Sequence, residues 1–285
     1  MRGSLSRCFS RSPRTTRLEN PTGNPPRLIA KDPRRGVIIP SYNSGPLLEN
    51  TVRAVLDEVT PVICVIDGST DGGENMARAL ATRQNHLRVL SHPTNRGKGA
   101  AVLTGLEFAR SEGWTHAAVF DADGQHETSD LPRFMEASRL HPEAMILGRP
   151  VFGPDAPAVR VFGRRIGNWF SNLETWWGGI HDSLFGLRVY PVGPALETLR
   201  SIRGGRGFDF DTQLAVRLYW RGVPPVNLPT RVRYHSADRG GISHFDYLRD
   251  NLLLARTHAG LLLESLLLAP RLARYRRRRH LAIPS

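Results

Sequence analysis

Five short apolar runs, each ended by a polar turn and followed by a helix-sized segment, limit what this chain can fold into. They are GVIIP at 36–40, PVICVI at 61–66, LRVL at 87–90, THAAVF at 115–120 and AMILG at 144–148. After the first run Leu47, Leu48, Val52, Val55, Leu56 and Val59 fall at helical spacing. Helices are also expected over 74–82, from the NRGKGAA stretch to about residue 110, and from Ser129 to about residue 140. Buried strands joined by crossover helices pair in parallel, so the pattern predicts an α/β fold with a mainly parallel sheet flanked by helices. Ligands of such sheets bind beyond the carboxyl ends of the strands. The polar turns at 41–44, 67–71, 95–99 and 121–125 all fall at those ends.

The second half is less regular. Residues 159–177 read as an amphipathic helix, 182–190 as an extended segment, 209–221 as a helix, and VPPVNLPTRVRY from Val223 as one or two edge strands. With no internal repeat and no linker, one domain with tails is expected.

The turn after the fourth run carries the chemistry. Asp121, Asp123 and Gln125 stand at alternate positions. Two close carboxylates repel, and a divalent cation makes the arrangement favourable. Two carboxylates with an amide oxygen form a hard, all-oxygen set that suits Mg²⁺ or Mn²⁺, which bridge to substrate phosphates. In the NRGKGAA stretch Gly97 and Gly99 let backbone approach an anion at a helix start, with Lys98 adding charge. A glycine-rich helix entry without an anion fits that stretch equally well. The spacing is not that of a Walker-type phosphate loop.

Five motifs in order, VIIPSYNSG, VIDGSTDGG, NRGKGAA, FDADGQH and FGLRVY, resemble those of inverting family 2 glycosyltransferases with a GT-A fold, a Rossmann-like architecture. The resemblance runs from about Gly36 to His244 and is nearest to the dolichol-phosphate mannosyltransferase-like branch. It implies that Pro40 and Tyr42 line the nucleotide and that Asp67 contacts the base or ribose. Asp121 and Asp123 correspond to the pair that holds metal and diphosphate, and Gln125 to an amide ligand. Arg149 and Arg160 match arginines facing the acceptor. Asp182, Gly186 and Arg188 match the D…SGFR element, and Arg239 and Ser243 fall near the segment that closes over the donor phosphates. The chain departs from the family pattern at Ser44, Ile66, Gln213 and His244.

The expected reaction moves a sugar from a nucleotide-sugar donor to an acceptor, with metal and cations stabilising the leaving diphosphate. Lys98 and Arg239 are the candidates for the leaving phosphate. Asp211 is a candidate base for a hydroxyl acceptor, or a helix N-terminal acid that favours the dipole. A lipid or polyprenyl-phosphate acceptor needs no base and would be oriented by Arg149, Arg160 and Arg188. Two other readings remain: a nucleotidyltransferase, and a nucleotide-sugar-binding protein without turnover.

Charge settles what the ends do. The formal net charge is +13, yet residues 1–35 carry nine Lys/Arg against two acids and the last fifteen residues carry six arginines, which accounts for all of it. A neutral body argues against a nucleic-acid partner. Residues 1–35 lack the apolar core of a secretory signal. They read as a disordered basic leader, a transit peptide or the product of a misplaced start. Residues 36–245 are then the catalytic domain, and 246–285 an amphipathic helix with a basic tail. The apolar stretch from Asn251 contains Arg256, His258 and Glu264. It is poorly suited to spanning a bilayer. A helix lying on an anionic membrane surface fits better, each nearby basic residue contributing about 1 kcal/mol. With two cysteines, Cys8 and Cys64, no disulfide is expected. The enzyme is therefore expected in the cytoplasm, peripheral on the cytoplasmic face of the membrane, serving cell envelope biosynthesis.

Overall fold

The structure is a computed structural model. It describes residues 32–153, 158–202, 204, 207, 209–232 and 247–274. The leader up to Lys31, the segment holding Arg239, Ser243 and His244, and the arginines from Arg276 onward lie outside the described residues.

A seven-stranded sheet forms the centre. Its strands are β1 (Arg35–Ser41), β2 (Val62–Asp67), β3 (Leu87–His92), β4 (His116–Val119), β5 (Met145–Val151), β6 (Arg188–Pro191) and β7 (Pro225–Arg231). In space they run β3-β2-β1-β4-β6-β5-β7. The β1–β2, β2–β3, β1–β4 and β5–β7 pairs are parallel, and β6 is antiparallel to both β4 and β5. Helices α1 (Pro46–Glu58), α2 (Gly73–Ala81), α3 (Lys98–Ser111), α4 (Leu131–Leu140), α5 (Ala158–Glu174), α6 (Val192–Ser201), α7 (Phe210–Trp220) and α8 (Tyr247–Leu267) complete the fold.

Strand residues alternate between two apolar layers, as the pleat requires. Ile38, Ile63, Val65, Ala117 and Val119 join the layer under α3, α6 and α7. Val37, Ile39, Val62, Cys64, Ala118 and Phe120 join the layer under α1, α2 and α4. Burial on both faces explains the continuous apolar runs. Helix α3 lies close on β1 because Gly105 has no side chain: a Cβ there would sit 2.6 Å from Ile38 Cγ2.

The expected strands and helices of the first half are present, with ends shifted by up to three residues. The second half differs in two places. Of the extended segment expected at 182–190, only Arg188 onward is strand, because Asp182 folds back to accept a hydrogen bond from the Leu184 N–H at 2.9 Å. Helix α6 has no counterpart among the expected elements; Pro194 fits in it because proline in the first turn removes no helical hydrogen bond. The edge-strand reading of the proline-rich stretch holds, since β7 lies at the sheet border.

Helix α8 docks on α5 and α7 through Leu261 and three polar links. Glu174 Oε1 is 2.7 Å from His258 Nδ1, Thr257 donates to Asp209 Oδ2 at 3.2 Å, and Arg217 donates to Glu264. Among the described residues no helix is long and apolar enough to cross a membrane. Burial pushes the Glu174 carboxyl up, and the His258 partner offsets this only in part. A carboxyl raised on folding holds its proton more tightly in the native state, so its ionisation weakens the fold as pH climbs past the usual glutamate value. The Glu174→Gln variant should therefore gain urea resistance over wild type as pH rises above about 4.5, with no such gain at lower pH. Urea midpoints measured across that range check this.

Candidate active site

The turns that leave β1, β2 and β3 are tied together by side chains of the chain itself. The Asn43 N–H donates to Ser69 Oγ at 3.0 Å, and Asn43 Oδ1 accepts from the Thr70 N–H at 2.8 Å. The Gly45 N–H donates to Asp71 Oδ2 at 2.7 Å. Asp67, at the end of β2, accepts from the backbone N–H groups of Arg96 (2.9 Å) and Gly97 (2.7 Å) and meets His92 Nδ1 at 2.6 Å. His92 Nε2 in turn lies 2.9 Å from Thr104 Oγ1 on α3. Asp67 is 2% exposed. Here its carboxylate shapes the loop that launches Lys98. Pro40 is buried in β1, opposite Val65, and Tyr42 is exposed just beyond the strand.

Lys98 opens α3 and projects into a cluster of opposite charge. Its Nζ is 2.7 Å from Asp121 Oδ1 and 2.9 Å from Asp211 Oδ2, and 5.5 Å from the centre of the Phe210 ring. Burial disfavours the ammonium, but Asp121 and Asp211 outweigh it and hold Lys98 charged well above its ordinary range. Burial likewise pushes the Asp121 carboxyl up, and Lys98 with His126 brings it below the carboxylate range. His126, whose Nε2 is 3.8 Å from Asp121 Oδ2, is wedged edge-on between the rings of Phe120 and Phe185. Gly186 makes room for Asp121: a Cβ at 186 would stand 2.0 Å from Asp121 Oδ2.

Asp123 is different. Its Oδ1 accepts from the Gln125 N–H at 3.0 Å, and its carboxyl is pushed up by burial and by Asp121, against the pull of His126 and Lys98. Two carboxylates, one balanced by lysine and the other short of positive charge, fit a hard divalent cation that takes its remaining ligands from water and phosphate. Among the described residues no group of three or more His, Cys, Asp or Glu forms a closed metal cage, and such a cation does not need one.

Asp211, in the first turn of α7, is 4% exposed. Besides Lys98 it has Arg188 Nη1 at 3.7 Å from Oδ1, and the same nitrogen donates to its main-chain oxygen at 2.8 Å. Arg188 also donates to the Phe185 carbonyl at 2.6 Å and the Tyr190 hydroxyl at 3.1 Å. At 1% exposure Arg188 is an internal brace from β6 to α7. Asp182 is also internal: it accepts from Arg164 Nη1 at 2.8 Å and Asn168 Nδ2 at 3.1 Å. Arg149 is exposed on β5, two residues beyond the Leu147–Arg188 pair. The Arg160 side chain and Arg239 lie outside the described residues.

The structure thus gathers Lys98, Asp121, Asp123, Gln125, Gly186, Arg188 and Asp211 at one rim of the sheet. Sequence reasoning missed His92, His126, Arg164 and Asn168. A signal existed for two of them, since Arg164, Asn168 and Asn172 form a polar stripe at intervals of four on α5.

Fold and cluster together place a charged site of an α/β protein where its central strands end. The matching family model, glycosyl transferase family 2, spans residues 36–196, and the chain belongs to that family. It is 28% identical over 218 residues to a polyprenol monophosphomannose synthase of Mycolicibacterium smegmatis, covering 74% of this chain and 82% of that protein. An undecaprenyl-phosphate mannosyltransferase of Micrococcus luteus is also 28% identical, over 67% of this chain and 80% of its own. Among solved structures, glucosyl-3-phosphoglycerate synthase from Mycobacterium tuberculosis superposes with a TM-score of 0.57 at 18% identity, covering 81% of this chain and 79% of that one. A mannosyltransferase from Pyrobaculum calidifontis, solved with GDP-Man and Mn²⁺, gives 0.52 at 20% identity, covering 90% and 79%. These likenesses establish the GT-A fold.

Gly186→Ala should drive the Asp121 carboxylate from its place. Stability is expected to fall by about 1–3 kcal/mol while glycosyl transfer falls much further. Urea unfolding and a product assay on the same preparation check the pair.

Proposed function

We propose that this glycosyltransferase moves a hexose from a nucleotide sugar to a lipid phosphate of the polyprenyl type, with inversion, at the cytoplasmic face of a membrane. The carrying observation is the carboxylate pair Asp121 and Asp123 at the end of β4, with Lys98 2.7 Å from the first of them. Asp121, Asp123 and Gln125 would hold Mg²⁺ or Mn²⁺, which supplies positive charge to the leaving diphosphate. Lys98 adds a mobile cation on the same side. A phosphate oxygen of the acceptor forms the new bond to the anomeric carbon from the face opposite the diphosphate, which departs with the old bond's electrons.

An acceptor that is already anionic needs no base. That suits Asp211, whose carboxylate is engaged by Lys98 at 2.9 Å and buried. The names of the two mannosyltransferase relatives support a polyprenyl-phosphate acceptor. The surface supports a membrane: Phe162, Ile166 and Trp169 stand exposed at helical spacing on α5, and Leu252, Leu263, Leu266 and Leu267 stand exposed on α8. Arg271 and Arg274 follow on the same segment. Exposed apolar side chains beside arginines match an anionic interface. Residues 36–245 then act as the catalytic domain and 246–285 as the membrane-contacting tail.

Incubation with Mn²⁺ and individual UDP-, GDP- and dTDP-sugars, with and without undecaprenyl phosphate, tests the reading. Acceptor-dependent release of one nucleoside diphosphate is expected, and Asp123→Asn should abolish metal-dependent donor binding while leaving the circular dichroism spectrum unchanged. Normal donor binding by that variant with Mn²⁺ present would refute the site. Binding to phosphatidylglycerol vesicles should exceed binding to phosphatidylcholine vesicles, weaken with salt, and drop about tenfold or more when Phe162 and Trp169 are both changed to Ser.

A further inference from the structure

Lys98 and the expected cation claim the same carboxylate. The Lys98 ammonium rests on Asp121 Oδ1 at 2.7 Å, and a hard cation bonds a carboxylate at about 2.1 Å. Whichever oxygen of Asp121 the cation takes, it lies within a few ångströms of the ammonium, and the two positive charges repel strongly in a partly buried site.

The site lets Lys98 move. Its main chain is fixed, since the Asp67 carboxylate holds the preceding Gly97 N–H at 2.7 Å, but the head sits on a flexible four-carbon stem. Its second partner, Asp211 Oδ2 at 2.9 Å, belongs to α7, which Arg188 braces from the other side at 2.8 Å. Asp211 therefore serves as a pivot on which the ammonium can leave Asp121 without losing all its counter-charge. The residue type is telling. Of 39 basic residues only Lys98 and Lys31 are lysine, so the rest of the chain uses the planar guanidinium, which is held rigidly by paired contacts. A compact point charge stands at the one position where the cation must change partners.

Resting on the reading that Asp121 and Asp123 bind the cation, we infer that Lys98 is a transferable counter-ion that makes metal and nucleoside diphosphate bind together. It occupies Asp121 until the diphosphate arrives with the metal, then passes to a diphosphate oxygen. Metal alone binds weakly, because it must displace the ammonium to no new partner. Metal with diphosphate binds tightly, because the ammonium is received.

The two-lysine composition supplies the probe. Full-length protein labelled with ¹⁵N-lysine shows two side-chain ammonium signals, with Lys31 as the reference. Mg²⁺ alone should leave the Lys98 signal in place, and Mg²⁺ with UDP or GDP should move it while Lys31 stays. By Mn²⁺ electron paramagnetic resonance titration, UDP or GDP should tighten metal binding by about tenfold or more in wild type. Lys98→Met should bind Mn²⁺ alone about threefold or more tighter and lose most of that coupling. If Mg²⁺ alone shifts the Lys98 signal fully, or the variant binds Mn²⁺ no tighter and keeps its coupling, the handover is wrong although the cation site stands. If Mn²⁺ supports no binding of UDP, GDP or dTDP to wild type, the function assigned to the site fails and this inference with it.

Discussion

The ammonium of Lys98, seated between Asp121 and Asp211, is the contact on which the site depends. It joins three elements that sequence places far apart: the start of α3, the end of β4 and the first turn of α7. Without it, half-buried Asp121 would be left with His126 at 3.8 Å and buried Asp211 with Arg188 at 3.7 Å, and removing one partner from a buried charge cluster is destabilising. The surrounding geometry serves the contact. Asp67 fixes the loop before Lys98, Gly186 leaves space for Asp121, and Arg188 holds α7 in position.

Much of this was legible in the sequence, for physical reasons. Strands buried on both faces must be apolar throughout, so β1, β2 and β4 announce themselves. Polar residues directly after β4 have no role in the core, and that singled out Asp121 and Asp123, while the glycines around Lys98 marked it at a helix start. Less legible was what each polar residue does. Asp67 and Arg188 carry the right residue types at family positions, and the structure adds the partners that hold each of them inside the protein. A sequence shows a charge but not its partners, and here they lie 29 residues away for Asp67, at the Arg96 backbone N–H, and 23 for Arg188, at Asp211. His126 escaped notice because nothing in its neighbourhood distinguishes a ring packed between two phenylalanines from a loop histidine.

The second half was harder because its order comes from tertiary contacts. The Asp182 segment is irregular because Arg164 and Asn168 of α5 hold it in place. Helix α8 shows leucines on both faces. Burial of Leu261 explains one face, while the outward leucines and the aromatic stripe on α5 have no protein covering them among the described residues. A helix of this kind is ambiguous in sequence, since periodicity that serves two surfaces looks like no periodicity at all.

The reversal of β6 has a geometric outcome. In a wholly parallel sheet, one rim receives only segments that have just left a strand. Since β6 runs against β4 and β5, the chain reaches that rim while still on its way in, and Gly186 arrives beside Asp121 from the opposite direction. Two stretches more than sixty residues apart in the chain thus share a corner. The outgoing one carries the carboxylates, while the incoming one leaves space for them at Gly186, packs Phe185 against His126 and brings the Arg188 guanidinium to Asp211, so one corner draws its charges from strands of opposite direction.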